Sequence, residues 1–182
     1  MNTIVCIGDS LVYGKGWLNG SDLQKPLNVR LAEKFTGLKV INLGVNGDTT
    51  TEMEARKATV DAYKPFRVIV MGGINDITSS VAVATIESKL QAMYTYFKVT
   101  KGYEVWAITI TPRDSDTAQQ VADKSTVNNW IKNTATSVDR VIDAFTAIAD
   151  PQDTSNRLSA YADSETPNHF NDTGLEAIVA TI

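Results

Sequence analysis

Histidine and cysteine are almost missing from this chain, with one of each in 182 residues. A lone cysteine excludes an intramolecular disulfide, and the place of Cys6 inside the apolar run TIVCI makes it an inert core thiol. One histidine and one cysteine cannot build a nitrogen- and sulfur-rich zinc site, and no loop spaces its acids as a calcium loop does. Carboxylate-only sites for magnesium or calcium stay open, but no metal and no cofactor is implied. Long apolar runs are missing too: nothing approaches the ~20 residues of a membrane-spanning helix, and mean hydropathy is -0.13. Nor is there an excess of positive charge. Seventeen Lys and Arg stand against 21 Asp and Glu, for a net charge of -4. The cations are scattered, whereas a nucleic-acid partner would need a basic face. The opening MNTIVCIGDS lacks a basic n-region and a small-residue cleavage site, so the expected location is cytoplasmic, with export open if a leader once preceded it. Linkers, repeats and low-complexity tracts are absent as well, which leaves residues 1–182 as one domain.

What is present is a regular alternation. Near-continuous apolar runs at 3–8, 39–44, 66–73, 104–111 and 140–145 are what strands covered on both faces require. Helical stretches separate them, at about 22–36, 50–63, 79–99 and 119–137, with a last helix from about 172 to the end. In the third stretch Val83, Ile86, Leu90, Met93 and Phe97 recur every three or four residues and form one core-facing stripe, with Glu87, Lys89 and Gln91 toward water. Strands alternating with helices of this length predict an α/β fold of repeated βαβ units, with a five-stranded parallel sheet and helices on both faces.

Ligands of such sheets bind beyond the carboxyl ends of the strands. Those ends carry Gly8-Asp9-Ser10, Gly44-Val45-Asn46-Gly47-Asp48, Gly72-Gly73-Ile74-Asn75-Asp76 and Thr111-Pro112-Arg113, and His169 lies in a long irregular stretch after the fifth. Glycine beside small polar residues lets backbone N–H groups face one crevice, as an oxyanion needs. A serine there needs a neutral imidazole to take its proton, and His169 is the sole candidate.

The blocks GDSL (8–11), NLGVNGDTT (42–50), GGIND (72–76) and HFNDTG (169–174), in this order, resemble the four sequence blocks of the GDSL-type, or SGNH, hydrolases. The resemblance implies a flavodoxin-like three-layer α/β/α sandwich, with Ser10 as nucleophile and His169 as general base. It further implies an oxyanion hole built from the N–H groups of Ser10 and Gly44 and the side-chain amide of Asn75. That family usually has an aspartate three residues before its histidine, where this chain has Thr166; Asp163 is the substitute acid proposed here, and Glu165 the next choice. An α/β-hydrolase elbow is disfavoured because G-x-S-x-G would need glycine where Val12 stands.

Plainer roles compete. Ser10 could cap the following turn. Asp9, Gly47 and Asp76 read as turn chemistry, Asn75 as an Asx turn, and Arg113 as a solvated arginine rather than an anion binder. Tyr13, Trp17 and Phe170 could line a pocket or simply pack. The reading is a serine hydrolase that cleaves a small-molecule or glycan ester with a small acyl group such as acetyl. The rivals are an inactive domain of the same scaffold that binds a glycan or acylated ligand, and a phospho-acceptor switch using Asp9.

Overall fold

The computed structural model describes residues 2–14, 23, 25–163 and 169–182. Five strands, β1 (Thr3–Gly8), β2 (Lys39–Gly44), β3 (Arg67–Met71), β4 (Glu104–Ile108) and β5 (Arg140–Ile142), form one sheet in the order β2-β1-β3-β4-β5. Every pairing is parallel, as buried apolar strands joined by helices predict. β1 lies at the centre of the crossover: the chain moves from it to β2 on one side and returns to β3 on the other. Order reverses there, so the crevice opens beyond Gly8 and Met71, which are register partners.

Three predicted strands end early, each for a local reason. β3 stops at Gly72-Gly73, where Gly73 takes φ 112° and starts α4 (Ile74–Thr78), a helix the periodicity did not show. Beyond β4 the backbone of Ile110 satisfies both its groups on the Asn128 side chain, at 2.7 and 2.8 Å, instead of on a neighbouring strand. β5 ends because the Asp143 carboxylate accepts from the Thr146 N–H, 3.1 Å, and caps α7 (Ala144–Ile148).

The helices follow the predicted pattern with shorter bounds. α1 (Ser10–Tyr13) is a single turn; α2 (Leu27–Lys34) begins after Pro26, and part of its predicted start lies outside the described residues. α3 (Thr50–Ala55) opens on a capping box of Thr49 and Glu52 and gives way to a 3-10 segment, Lys57–Tyr63. α5 (Val83–Thr95) buries Ile86, Leu90 and Met93 and runs into a π-helical turn, Tyr96–Thr100, that buries Phe97. Val83 and the residues expected in water, Glu87, Lys89 and Gln91, are half-buried. α6 (Ala118–Asn133) is capped by Thr117 and Gln120. The last helix is α8 (Asp172–Ala180). Leu175, Ile178 and Val179 are buried in the chain's own core, and Arg30 and Lys34 of α2 bond to Asp172 and the Val179 carbonyl. No helix among the described residues is long and apolar enough to cross a membrane.

Candidate active site

β1 feeds directly into the Gly8-Asp9-Ser10 turn, and the tightness of that turn explains its composition. A Cβ on Gly8 would stand 2.2 Å from the Met71 carbonyl oxygen, so the strand end tolerates no side chain. Asp9, not Ser10, caps α1: its Oδ1 accepts from the Leu11 N–H at 2.9 Å. The capping role considered for Ser10 is therefore already filled. The Ser10 hydroxyl is turned to His169 instead, with 2.9 Å between Oγ and Nε2.

His169 owes its position to a short antiparallel pairing of 161–163 with 169–171. Ala162 and Phe170 form a bridge, the Asp163 N–H donates to the His169 carbonyl at 3.1 Å, and the Asn171 N–H donates to the Tyr161 carbonyl at 2.9 Å. Asn171 also caps α8 through the Gly174 N–H and donates its amide to the carbonyls of Ala160 and Ala162. This clamp was not anticipated; the Asn-Asp-Thr start of a helix is the signal that could have shown it. Asp163 is buried beside His169. Glu165 and Thr166 lie outside the described residues, as does Trp17. Phe170 is buried packing, whereas Tyr13 is 40% exposed.

Of the three expected oxyanion donors, the structure leaves two open. The Ser10 N–H has no protein acceptor among the described residues. Asn75, in the first turn of α4, makes no Asx turn; its amide donates once, to the Asp48 carbonyl at 2.9 Å, and keeps a second hydrogen. Gly44 differs from the other two. Its N–H donates to its neighbour Asn42 Oδ1 at 2.8 Å, and its Cα packs so closely on α1 that a Cβ would sit 2.1 Å from the Tyr13 nitrogen. Gly44 is a packing glycine. Gly47, in the turn beyond it, is exposed at φ 85°, and its N–H has no protein acceptor among the described residues.

Beneath the serine lie Asp9, Asp48 and Asp76. Asp76 accepts from the Thr50 N–H and hydroxyl, at 2.8 and 2.7 Å, and so ties α3 to α4, the structural role expected of it. Burial pushes the Asp9 carboxyl up to about 7; the Leu11 N–H opposes the rise, Asp76 and Asp48 add to it, and Arg56 opposes it. Cys6 is fully buried, and desolvation pushes its thiol up to about 12, which suits an inert core residue. Arg113 is not solvated. It is buried against Asp116, 2.7 Å from its Nε, and the Thr78 hydroxyl, 2.6 Å away.

The model of the GDSL-like lipase/acylhydrolase family matches residues 6–177. The chain belongs to this family. Membership makes this GDSL-like protein a carboxylic ester hydrolase in the broad sense, and the serine and oxyanion hole expected above are typical of the family. No curated protein matches the sequence. Among solved structures, a G-D-S-L family protein from Desulfitobacterium hafniense DCB-2 superposes with a TM-score of 0.82 at 21% identity, covering 100% of this chain and 97% of that one. The lipase/acylhydrolase from Enterococcus faecalis gives 0.77 at 24%, covering 100% and 93%. A member of the lipolytic protein G-D-S-L family from Veillonella parvula DSM 2008 gives 0.77 at 18%, covering 100% and 96%. These likenesses establish the SGNH hydrolase fold.

Proposed function

We propose that this GDSL-like protein is a serine esterase working through an acyl-enzyme at Ser10. The observation that carries the reading is the 2.9 Å contact between Ser10 Oγ and His169 Nε2, which joins two residues 159 positions apart at the switch point of the sheet. Ser10 Oγ bonds to the ester carbonyl carbon while its proton passes to His169 Nε2, and the carbonyl electrons move onto the oxygen. That oxyanion is held by the N–H groups of Ser10 and Gly47 and the remaining Asn75 amide hydrogen, with Gly47 taking the role first given to Gly44. Collapse breaks the bond to the leaving alcohol, which takes the proton from His169. Water then attacks the acyl-enzyme, with His169 again as base, and releases the acid. Asp163, buried beside His169, orients the imidazole.

The preferred substrate is a small-molecule or glycan ester with a short acyl group such as acetyl. The connections from β2 to α3 and from β3 to α4 run over 45–49 and 72–73, too short to fold a lid over the crevice. Hydrolysis of p-nitrophenyl acetate, butyrate and octanoate by the wild type, Ser10→Ala and His169→Ala tests the reading. Turnover should be fastest on acetate and vanish in both variants. A folded wild type that hydrolyses none of the three and escapes fluorophosphonate labelling would instead be a binding domain.

A further inference from the structure

We propose that Arg56 is a positioning residue for the oxyanion hole, a single guanidinium that holds the separate segments carrying Ser10, Gly47 and Asn75 in one frame. The inference rests on the esterase reading above. Arg56 follows α3 and aims all three kinds of guanidinium nitrogen inward. One terminal nitrogen donates to the Gly8 carbonyl, 2.8 Å, two residues before Ser10. The other donates to the Leu43 carbonyl, 2.8 Å, at the end of β2. Nε donates to Asp48 Oδ2 at 2.6 Å, immediately after Gly47. The Asp48 carbonyl in turn receives the Asn75 amide. One side chain thereby reaches every backbone segment from which the oxyanion donors come.

The helix that Arg56 follows is anchored to the same site at its other end. Thr50, at the start of α3, is bonded through its N–H and hydroxyl to Asp76, the residue after Asn75. α3 is therefore a strut with Asp76 at one end and Gly8, Leu43 and Asp48 at the other. Only a planar fork can serve two carbonyls and a carboxylate in different directions at once; a lysine ammonium is a compact point charge on a flexible stem. Three of its five N–H donors are bonded to protein acceptors, and through these Arg56 acts on the backbone it holds. Misplacing catalytic groups by about 1 Å can cost about 10²-fold in rate, the size of effect expected here.

The test compares the wild type with Arg56→Lys, Arg56→Ala and Asp48→Asn. The readouts are kcat and KM on p-nitrophenyl acetate, inhibition by a short-chain trifluoromethyl ketone, whose hemiketal oxyanion occupies the hole, and melting temperature. Arg56→Lys should lower kcat about 10²-fold with KM nearly unchanged, and weaken the ketone in proportion to the loss in kcat/KM. Millimolar guanidinium should restore part of the Arg56→Ala rate where ammonium does not. Should Arg56→Ala not fold, Arg56→Lys and Asp48→Asn carry the comparison. Folded Arg56→Lys with wild-type kcat and ketone affinity, and a change in melting temperature alone, overturns the proposal while leaving the esterase reading intact. Wild-type turnover that survives Ser10→Ala removes the esterase reading and this inference with it.

Discussion

Asp163 and His169 stand directly opposite each other in a short antiparallel pairing, joined by a 3.1 Å hydrogen bond from the Asp163 N–H to the His169 carbonyl. Opposed residues of such a pair send their side chains to the same face, so the carboxylate and the imidazole leave the ladder together. This pairing brings Asp163 beside His169 although it sits six residues before the histidine in sequence.

If Asp163 orients His169, Asp163→Asn should lower kcat strongly, with loss of the corresponding aspartate in a serine protease, about 10⁴-fold, as the upper bound. The side chain is buried, so thermal unfolding should be followed in parallel to separate misfolding from lost catalysis. A folded Asp163→Asn with near wild-type turnover would remove it from the mechanism and make the orienting group a backbone carbonyl or Glu165.

Gly44 and Asn75 should separate cleanly into stability and rate. Alanine at Gly44 brings a Cβ to 2.1 Å from the Tyr13 nitrogen and 2.6 Å from its Cα, atoms of backbone that cannot swing aside, so overpacking should cost about 1–3 kcal/mol or more in urea unfolding. Asn75→Ala removes the proposed oxyanion donor and should lower kcat by about 10²–10³-fold, at a smaller cost in stability from one lost bond to the Asp48 carbonyl. Equal kcat in Asn75→Ala and wild type would take Asn75 out of the hole.

Much of this arrangement is legible in the sequence where one local rule governs. β1 and β2 run from 3 to 8 and from 39 to 44 as their apolar runs predict, because neither β-branched run contains a competing cap or glycine pair. Ser10 and His169 could be paired on chemistry, since a serine base was needed and one histidine exists. What remained hidden depended on contacts between distant segments. Gly44 ends β2 and Gly47 lies in the turn after it, and what sets their N–H groups apart is the Asn42 side chain on the Gly44 N–H. Arg56 answers to two backbone carbonyls and a carboxylate, a set that no spacing pattern announces. Arg113 reads as solvated in PRDSD because the burial of Asp116 and Lys124 around it is set by the packing of α6.

Asp9 should leave a signature in the pH dependence of stability. Its carboxyl is pushed up to about 7 chiefly by burial, and its Oδ2 has no hydrogen-bond partner among the described residues. An unfolded aspartate titrates near ~3.9, so between about pH 4 and about pH 7 the folded chain keeps a proton that the unfolded chain has lost. Stability from this group therefore falls as pH rises through that window and levels off above it. Asp9→Asn keeps an acceptor for the Leu11 N–H and cannot ionise. Its melting temperature relative to wild type should rise from acid to neutral pH. Thermal scans across the window check this, and a difference independent of pH would mean that Asp9 ionises in the folded state as it does in the unfolded chain.

Asp116 should prove to be a hinge of stability. Its carboxylate is 1% exposed and pairs with both Arg113 and Lys124, themselves 5% and 1% exposed, so two buried cations share one anion. Burial lowers the Lys124 amine, and Asp116 is the group that chiefly opposes that fall. Removing the anion strands both cations out of water, a change that typically costs about 3–5 kcal/mol. Asp116→Ala should therefore unfold at markedly lower urea, whereas Asp116→Ala combined with Lys124→Met, which removes one stranded charge and refills its space, should recover part of the loss. Equilibrium urea unfolding of the two variants gives the answer: equal destabilisation in both would show that the cost comes from lost packing at Asp116 and not from uncompensated charge.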